Sequence, residues 1–162
     1  MSGATRMTTA FVDDEAANAA TTVVGITRPN TADTTAAVAG LIRFLETGNV
    51  PDGLFADEVF ADLSLPHWRL QAQTAAEVIA LRTEGHPFRG QLQVERVDPT
   101  EHGFVIEFTE RWESEGQRWY CREMIRADVM DGSIVEMSIY CTGDWDEAKQ
   151  REHADAVRLI RP

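Results

Sequence analysis

A carboxyl group surrounded by apolar side chains loses the hydration of its charged form, so its pKa rises by up to a few units and it can move protons near neutrality. Glu123 is the residue of this sequence best placed for that chemistry. Its surroundings follow from two short turns, Glu115-Gly116 and Asp131-Gly132. Read as two-residue hairpin loops, they fix the register of the strands they join. The first sets Trp112 opposite Trp119, Glu110 opposite Cys121 and Phe108 opposite Glu123. The second sets Glu123 opposite Tyr140, Ile125 opposite Ser138 and Ala127 opposite Glu136. Residues directly across a strand pair have Cβ atoms about 5 Å apart. A phenol beside the carboxylate would then polarise a substrate carbonyl while Glu123 moves the proton.

The same register gives one sheet face Phe104, Ile106, Phe108, Glu110, Trp112, Trp119, Cys121, Glu123, Ile125, Ser138 and Tyr140. Glu123 and Tyr140 are the expected catalytic pair, with Phe108, Glu110, Trp112, Trp119 and Ser138 around the ligand. His67 and Trp68, after Pro66 at a strand exit, complete the expected ligand contacts. Trp112 and Trp119 fit either a stacked cross-strand core pair or a ligand wall. Glu110 is expected near a strand end where water reaches it, Glu136 on the rim, and Asp144 as a helix N-cap. A Glu123-Tyr140 hydrogen bond that only supports the sheet is the bland alternative.

Other chemistries lack the spacing they need. His67, His86, His102 and His153 contain no close helical pair, and there is no Cys-x-x-Cys, so no metal and no cofactor are expected. Ser133 lacks the nucleophile-elbow glycines, and no phosphate-binding glycine loop is present. The register puts Cys121 and Cys141 on opposite faces, as two free buried thiols.

These residues must be positioned by a chain of 162 residues, enough for one domain. Asp and Glu outnumber Lys and Arg 27 to 15, a net charge of −12 that repels nucleic acid and anionic membrane surfaces. No membrane span or signal peptide is visible, and the expectation is a cytoplasmic protein. Residues 1–30 read as a loosely ordered arm rich in Ala and Thr, and 31–162 as a single domain. Val38, Leu41, Ile42 and Leu45 share a helical face, and Gly48 suits its stop. A short helix is expected from Asp52 to Glu58, then a strand through Val59, Ala61, Leu63 and Leu65. Thr74-Ala-Ala-Glu77 has capping-box spacing for a helix that runs to Gly85. Four strands then form an antiparallel meander, and a helix closes the chain. Met124, Val135, Met137 and Ile139 would make an apolar patch on the second sheet face, where Arg122 and Arg126 also lie. That patch predicts a homodimer.

This order of elements, together with Leu41-Ile-Arg-Phe-Leu45, Leu54-Phe-Ala-Asp-Glu58, Asp131-Gly-Ser-Ile-Val-Glu136 and Tyr140-Cys-Thr-Gly-Asp-Trp145, resembles the nuclear transport factor 2-like superfamily in its SnoaL-like bacterial branch. The resemblance covers about Thr31 to Val157. It implies an α+β fold: a cone-shaped curved antiparallel sheet wrapped around helices, with a terminal helix, usually dimeric, and one pocket at the open end. It also implies a choice among polyketide cyclases, ketosteroid isomerases, dehydratases, epoxide hydrolases and proteins that only bind ligands. The isomerases carry a tyrosine in the first helix, where this chain has Phe44. The epoxide hydrolases carry an Asp-Arg-Asp pocket set, whereas Arg122 and Arg126 fall on the outer face. The expected function is proton transfer on a small apolar carbonyl compound, as in polyketide cyclisation or a related isomerisation. The alternative is a non-catalytic domain that binds an apolar ligand and dimerises.

Overall fold

A computed structural model describes residues 29–87 and 89–161. The expected arm at residues 1–30 lies outside the described residues except for its last two. The first helix, α1 (Thr31–Thr47), starts where the Asn30 side chain accepts the Asp33 amide at 2.9 Å. It stops at Gly48, whose left-handed φ of 72° lets its N–H reach the Phe44 carbonyl. Ala37, Leu41, Phe44 and Leu45 form its buried stripe.

The helix expected over residues 52–58 is absent. Gly53 takes a φ of 72° in a turn closed by the Leu54 amide on the Pro51 carbonyl, and a left-handed residue there stops a helix from starting. The chain passes instead into β1 (Phe55–Ser64), which buries Val59 and Ala61 in the expected alternation. A strand the sequence reading did not contain, β2 (Arg69–Ala72), pairs antiparallel with β1 and is tied to it by the Arg69–Asp62 ion pair. Helix α2 (Ala75–Gly85) begins as its capping motif requires. Thr74 accepts the Glu77 amide at 3.2 Å, and Glu77 reaches back to the Gln73 amide at 2.8 Å. Four strands follow, β3 (Gln91–Pro99), β4 (Gly103–Ser114), β5 (Gln117–Met130) and β6 (Ser133–Cys141), and then α3 (Glu147–Ala156).

These strands make one six-stranded sheet in the order β2-β1-β6-β5-β4-β3. Two expectations about it are corrected. The sheet is mixed, because β1 runs parallel to β6. It is also open, with β2 and β3 as its edges, and is neither closed nor strongly curled, so it is not the expected cone-shaped antiparallel wrap. Helices α1 and α2 pack on the sheet and close the core over Phe104, Ile106, Phe108, Ile125 and Met137. Among the described residues no helix is long and apolar enough to cross a membrane.

Register decides the site. The β4–β5 pairing matches the expectation residue for residue, with Phe108 opposite Glu123, Glu110 opposite Cys121 and Trp112 opposite Trp119. Glu115 and Gly116 both take positive φ in that turn, as a two-residue hairpin loop requires. The β5–β6 pairing starts as expected, with Met130 opposite Ser133 and Val129 opposite Ile134. It then slips by one at a bulge, so that Asp128 faces Glu136 and Glu123 faces Cys141, with Tyr140 opposite Met124. One extra residue in a strand turns every later side chain to the other face. Met137, Ile139 and Cys141 therefore face the helices, while Glu136 and Ser138 lie on the other side within reach of Arg126. The patch expected to hold a dimer together is thereby split: Met124 is 45% exposed outside and Met137 is 2% exposed inside. The homodimer expectation loses the surface that motivated it.

Candidate functional site

A pocket of about 450 Å³ opens between the helices and the centre of the sheet. Its apolar wall is built by Leu41 and Phe44 of α1, Ala61 and Leu63 of β1, and Ile125 and Ile139 of the sheet. Glu123 projects into this wall from β5, half-buried, because β5 alternates strictly and Glu123 shares the face of Cys121 and Ile125. Burial raises the Glu123 pKa, with Glu110 adding to the rise; Arg82 opposes it, as do hydrogen bonds from the two cysteine thiols. The Cys121 thiol donates to Glu123 Oε1 at 3.3 Å.

The polar end of the pocket is a network around Arg82 of α2. Its guanidinium binds Glu110 through Nη2–Oε1 at 2.6 Å and Nη1–Oε2 at 3.1 Å, and Nη2 also donates to the Leu45 carbonyl at 2.8 Å. His86 lies beside the pair, with Nδ1 3.9 Å from Glu110 Oε1. Burial and the neighbouring Arg82 lower the His86 pKa, partly offset by Glu110 and Asp144. Asp144 sits at the rim, its pKa raised mainly by partial burial and secondarily by Glu110, against the pull of His86 and Arg82.

Of the residues expected at the site, Glu123, His67 and Trp68 line this pocket. Phe108 packs directly across from Glu123 but is fully buried in the core. Glu110 is not water-reachable as expected; it is wholly buried and held by Arg82. Trp112 and Trp119 are stacked, with centroids 6.3 Å apart and planes 9° from parallel. They line a different groove of about 640 Å³, which also includes Arg89, Arg118 and Arg151. Ser138 and Tyr140 leave the site because of the bulge, and Tyr140 is 60% exposed on the opposite face. The phenol expected opposite Glu123 is replaced by the Cys141 thiol. Asp146, not Asp144, caps α3 by accepting the Lys149 amide at 2.7 Å.

Sequence reasoning missed Arg82, His86, Cys141 and Asp144 as pocket residues. Arg82 had a signal: it lies four residues after the buried Val78, a cation on the buried stripe of a helix. Cys141 had none, because its place follows from the bulge in β6 between Ile134 and Met137, which local alternation does not show.

No protein-family model matches the chain, and no curated protein matches it either. Solved structures do. An LEH-like epoxide hydrolase from M. tuberculosis is 16% identical, with 70% of this chain and 85% of that one covered at a TM-score of 0.56. A nuclear transport factor 2-like protein from Anabaena variabilis is 19% identical over 72% of this chain and 95% of its own, at 0.55. Another from Burkholderia xenovorans is 16% identical over 80% and 96%, at 0.51. Identities at this level speak to architecture, not to chemistry. The chain has the nuclear transport factor 2-like fold, which carries both small-molecule enzymes and proteins that only bind.

Proposed function

We propose that the protein is a SnoaL-like enzyme that moves a proton on a small, largely apolar carbonyl compound, as in polyketide-type cyclisation or an isomerisation or dehydration. The observation that carries this reading is a single one: the Glu123 carboxyl in the apolar wall of the 450 Å³ pocket. Glu123 takes the proton from the carbon beside the substrate carbonyl, since burial brings its pKa toward that of a useful base. The enolate oxygen that develops needs a donor. Arg82, which lines the pocket, commits three of its five N–H groups to Glu110 and Leu45, and its other two would serve a ligand oxygen. The protonated Glu123 then returns its proton to another carbon, or the enolate carbon attacks a second carbonyl and closes a ring.

Displacement of Tyr140 to the outer face favours a second reading, in which the pocket binds an apolar ligand without turnover. Solvent deuterium exchange separates the two. The chain, freed of metal by chelation, is incubated in D₂O with aromatic and polyketide-like ketones, and deuterium at the acidic carbon is followed by mass spectrometry. Incorporation above the uncatalysed rate supports catalysis, and binding seen by thermal shift without incorporation supports the second reading.

A further inference from the structure

The bulge in β6 has a chemical consequence apart from the loss of Tyr140. It places Cys141 directly across from Glu123, and Cys121 stands two residues before Glu123 on the same face of β5. The two Sγ atoms and a Glu123 oxygen all lie within 4.8 Å of one another, and Cys121 Sγ is 3.3 Å from Glu123 Oε1. A tetrahedral zinc-class ion, with bonds of about 2.3 Å to sulfur and 2.0–2.2 Å to carboxylate oxygen, separates such donors by roughly 3.5–3.8 Å. The donor triangle is therefore close to the size that one ion requires, and small rotamer changes close it. We propose that Cys121, Glu123 and Cys141 form a binding site for a borderline-soft divalent cation of the zinc class, entered from the pocket.

The donor set favours that class. Two thiolates select zinc-like ions over calcium and magnesium, which take oxygen ligands. Glu123 and Cys141 line the pocket while Cys121 is 0% exposed, so the protein closes one side of the ion and leaves the fourth position toward the cavity. Three protein ligands with one open position is the arrangement of accessible zinc centres. Binding requires both thiols to give up their protons to solvent, and Glu123 to give up any it holds. The two thiolates and the carboxylate then leave the 2+ ion one negative charge in excess. Among the described residues, Glu123 forms no ion pair that would compete. Gly143 donates its N–H to Cys141 Sγ at 3.3 Å, which supports a thiolate there.

This site does not depend on the proton-transfer reading but bears on it: a cation on Glu123 occupies the lone pair that would take the proton. The test uses the full chain, treated with chelator and kept under reductant, then titrated with Co²⁺ as the spectroscopic stand-in. The expected result is thiolate-to-cobalt charge-transfer absorption in the near ultraviolet that saturates at one equivalent and is displaced by Zn²⁺. Cys121→Ser and Cys141→Ser should each abolish or strongly reduce it, while Glu123→Gln should keep a thiolate band and weaken binding about tenfold or more. Cys141, being half-buried, gives a variant that keeps its fold, as circular dichroism would check. Absence of the band from the unmodified chain, or an unchanged band in Cys141→Ser, overturns the site. Deuterium exchange by the metal-free chain is measured in parallel. Exchange without a cobalt band refutes the cation site alone, and a band without exchange refutes proton transfer alone. If both hold, Zn²⁺ should suppress exchange.

Discussion

Glu110 and Glu123 face the same side of the sheet from adjacent strands, yet the same substitution should change stability in opposite directions at the two positions. Glu110→Gln keeps the shape and removes the charge opposite Arg82, leaving a guanidinium that is 14% exposed without its bidentate partner. With charge centres about 4 Å apart, an effective dielectric constant of about 20 makes the lost attraction about 4 kcal/mol. Breaking a buried pair from one side typically costs 3–5 kcal/mol. Arg82 keeps its bond to the Leu45 carbonyl, so a net loss of about 2–4 kcal/mol is expected. For a chain of this length that is a drop in Tm of roughly 10 °C. At Glu123 the sign reverses. Its folded pKa is raised, so its contribution to stability is fully present below the unfolded carboxylate value of about 4.3 and is lost as pH rises through the folded value. Burial disfavours the ionised form of Glu123, so Glu123→Gln should leave the metal-free protein at least as stable as the parent. Urea unfolding at pH 7, with m-values compared to check for a common denatured state, measures both. A loss of less than about 1 kcal/mol at Glu110, or an equal loss at both sites, would refute this account of the two carboxylates.

Three further outcomes follow from the same packing. His86 has a folded pKa below its unfolded value, so it stabilises the fold above about pH 6.5 and that contribution is lost as pH falls; His86→Gln should flatten the pH dependence of urea midpoints between pH 7 and 5. Gly90 packs its backbone on the Glu110 side chain, where a Cβ would lie 2.6 Å from Glu110 Cγ, so Gly90→Ala should push Glu110 off Arg82 and destabilise by about 1–3 kcal/mol by chemical denaturation. Asp146→Ala should cost about 1 kcal/mol by removing the α3 cap, while Asp144→Ala should leave that helix intact by circular dichroism.

How much of this was legible in the sequence depended on whether a single local rule decided each element. Helix α1 follows from the spacing of Leu41 and Leu45 with Gly48 beyond, and α2 from Thr74 and Glu77. The β4–β5 register follows from a two-residue turn whose Glu115 and Gly116 both take positive φ. Glu123 on the helix-covered face came from that turn alone. The other half of the expected site depended on extending an equally sound turn along β6, and one extra residue between Ile134 and Met137 moved Ser138 and Tyr140 outside. Local alternation does not carry across a bulge. The pairing of β1 with β6 was not readable because parallel neighbours have no connecting turn. In β2, mostly exposed at an edge, Leu70 and Ala72 alternate with Arg69 and Gln71, but four residues are too short a run for that period to mark a strand. Arg82 and Glu110, 28 residues apart in the chain, meet only once α2 is laid on the sheet.

Solvent deuterium exchange in the metal-free parent and its Glu123→Gln variant, on a ketone that both bind, tests the proposed role of Glu123 as the base of the pocket. A positioned general base typically contributes 10² to 10⁴ in rate, so the variant should lose roughly that much exchange while ligand affinity changes little. Retention of parental exchange by Glu123→Gln, with affinity unchanged, would contradict the claim and leave Glu123 as a buried hydrogen-bond partner of the two thiols.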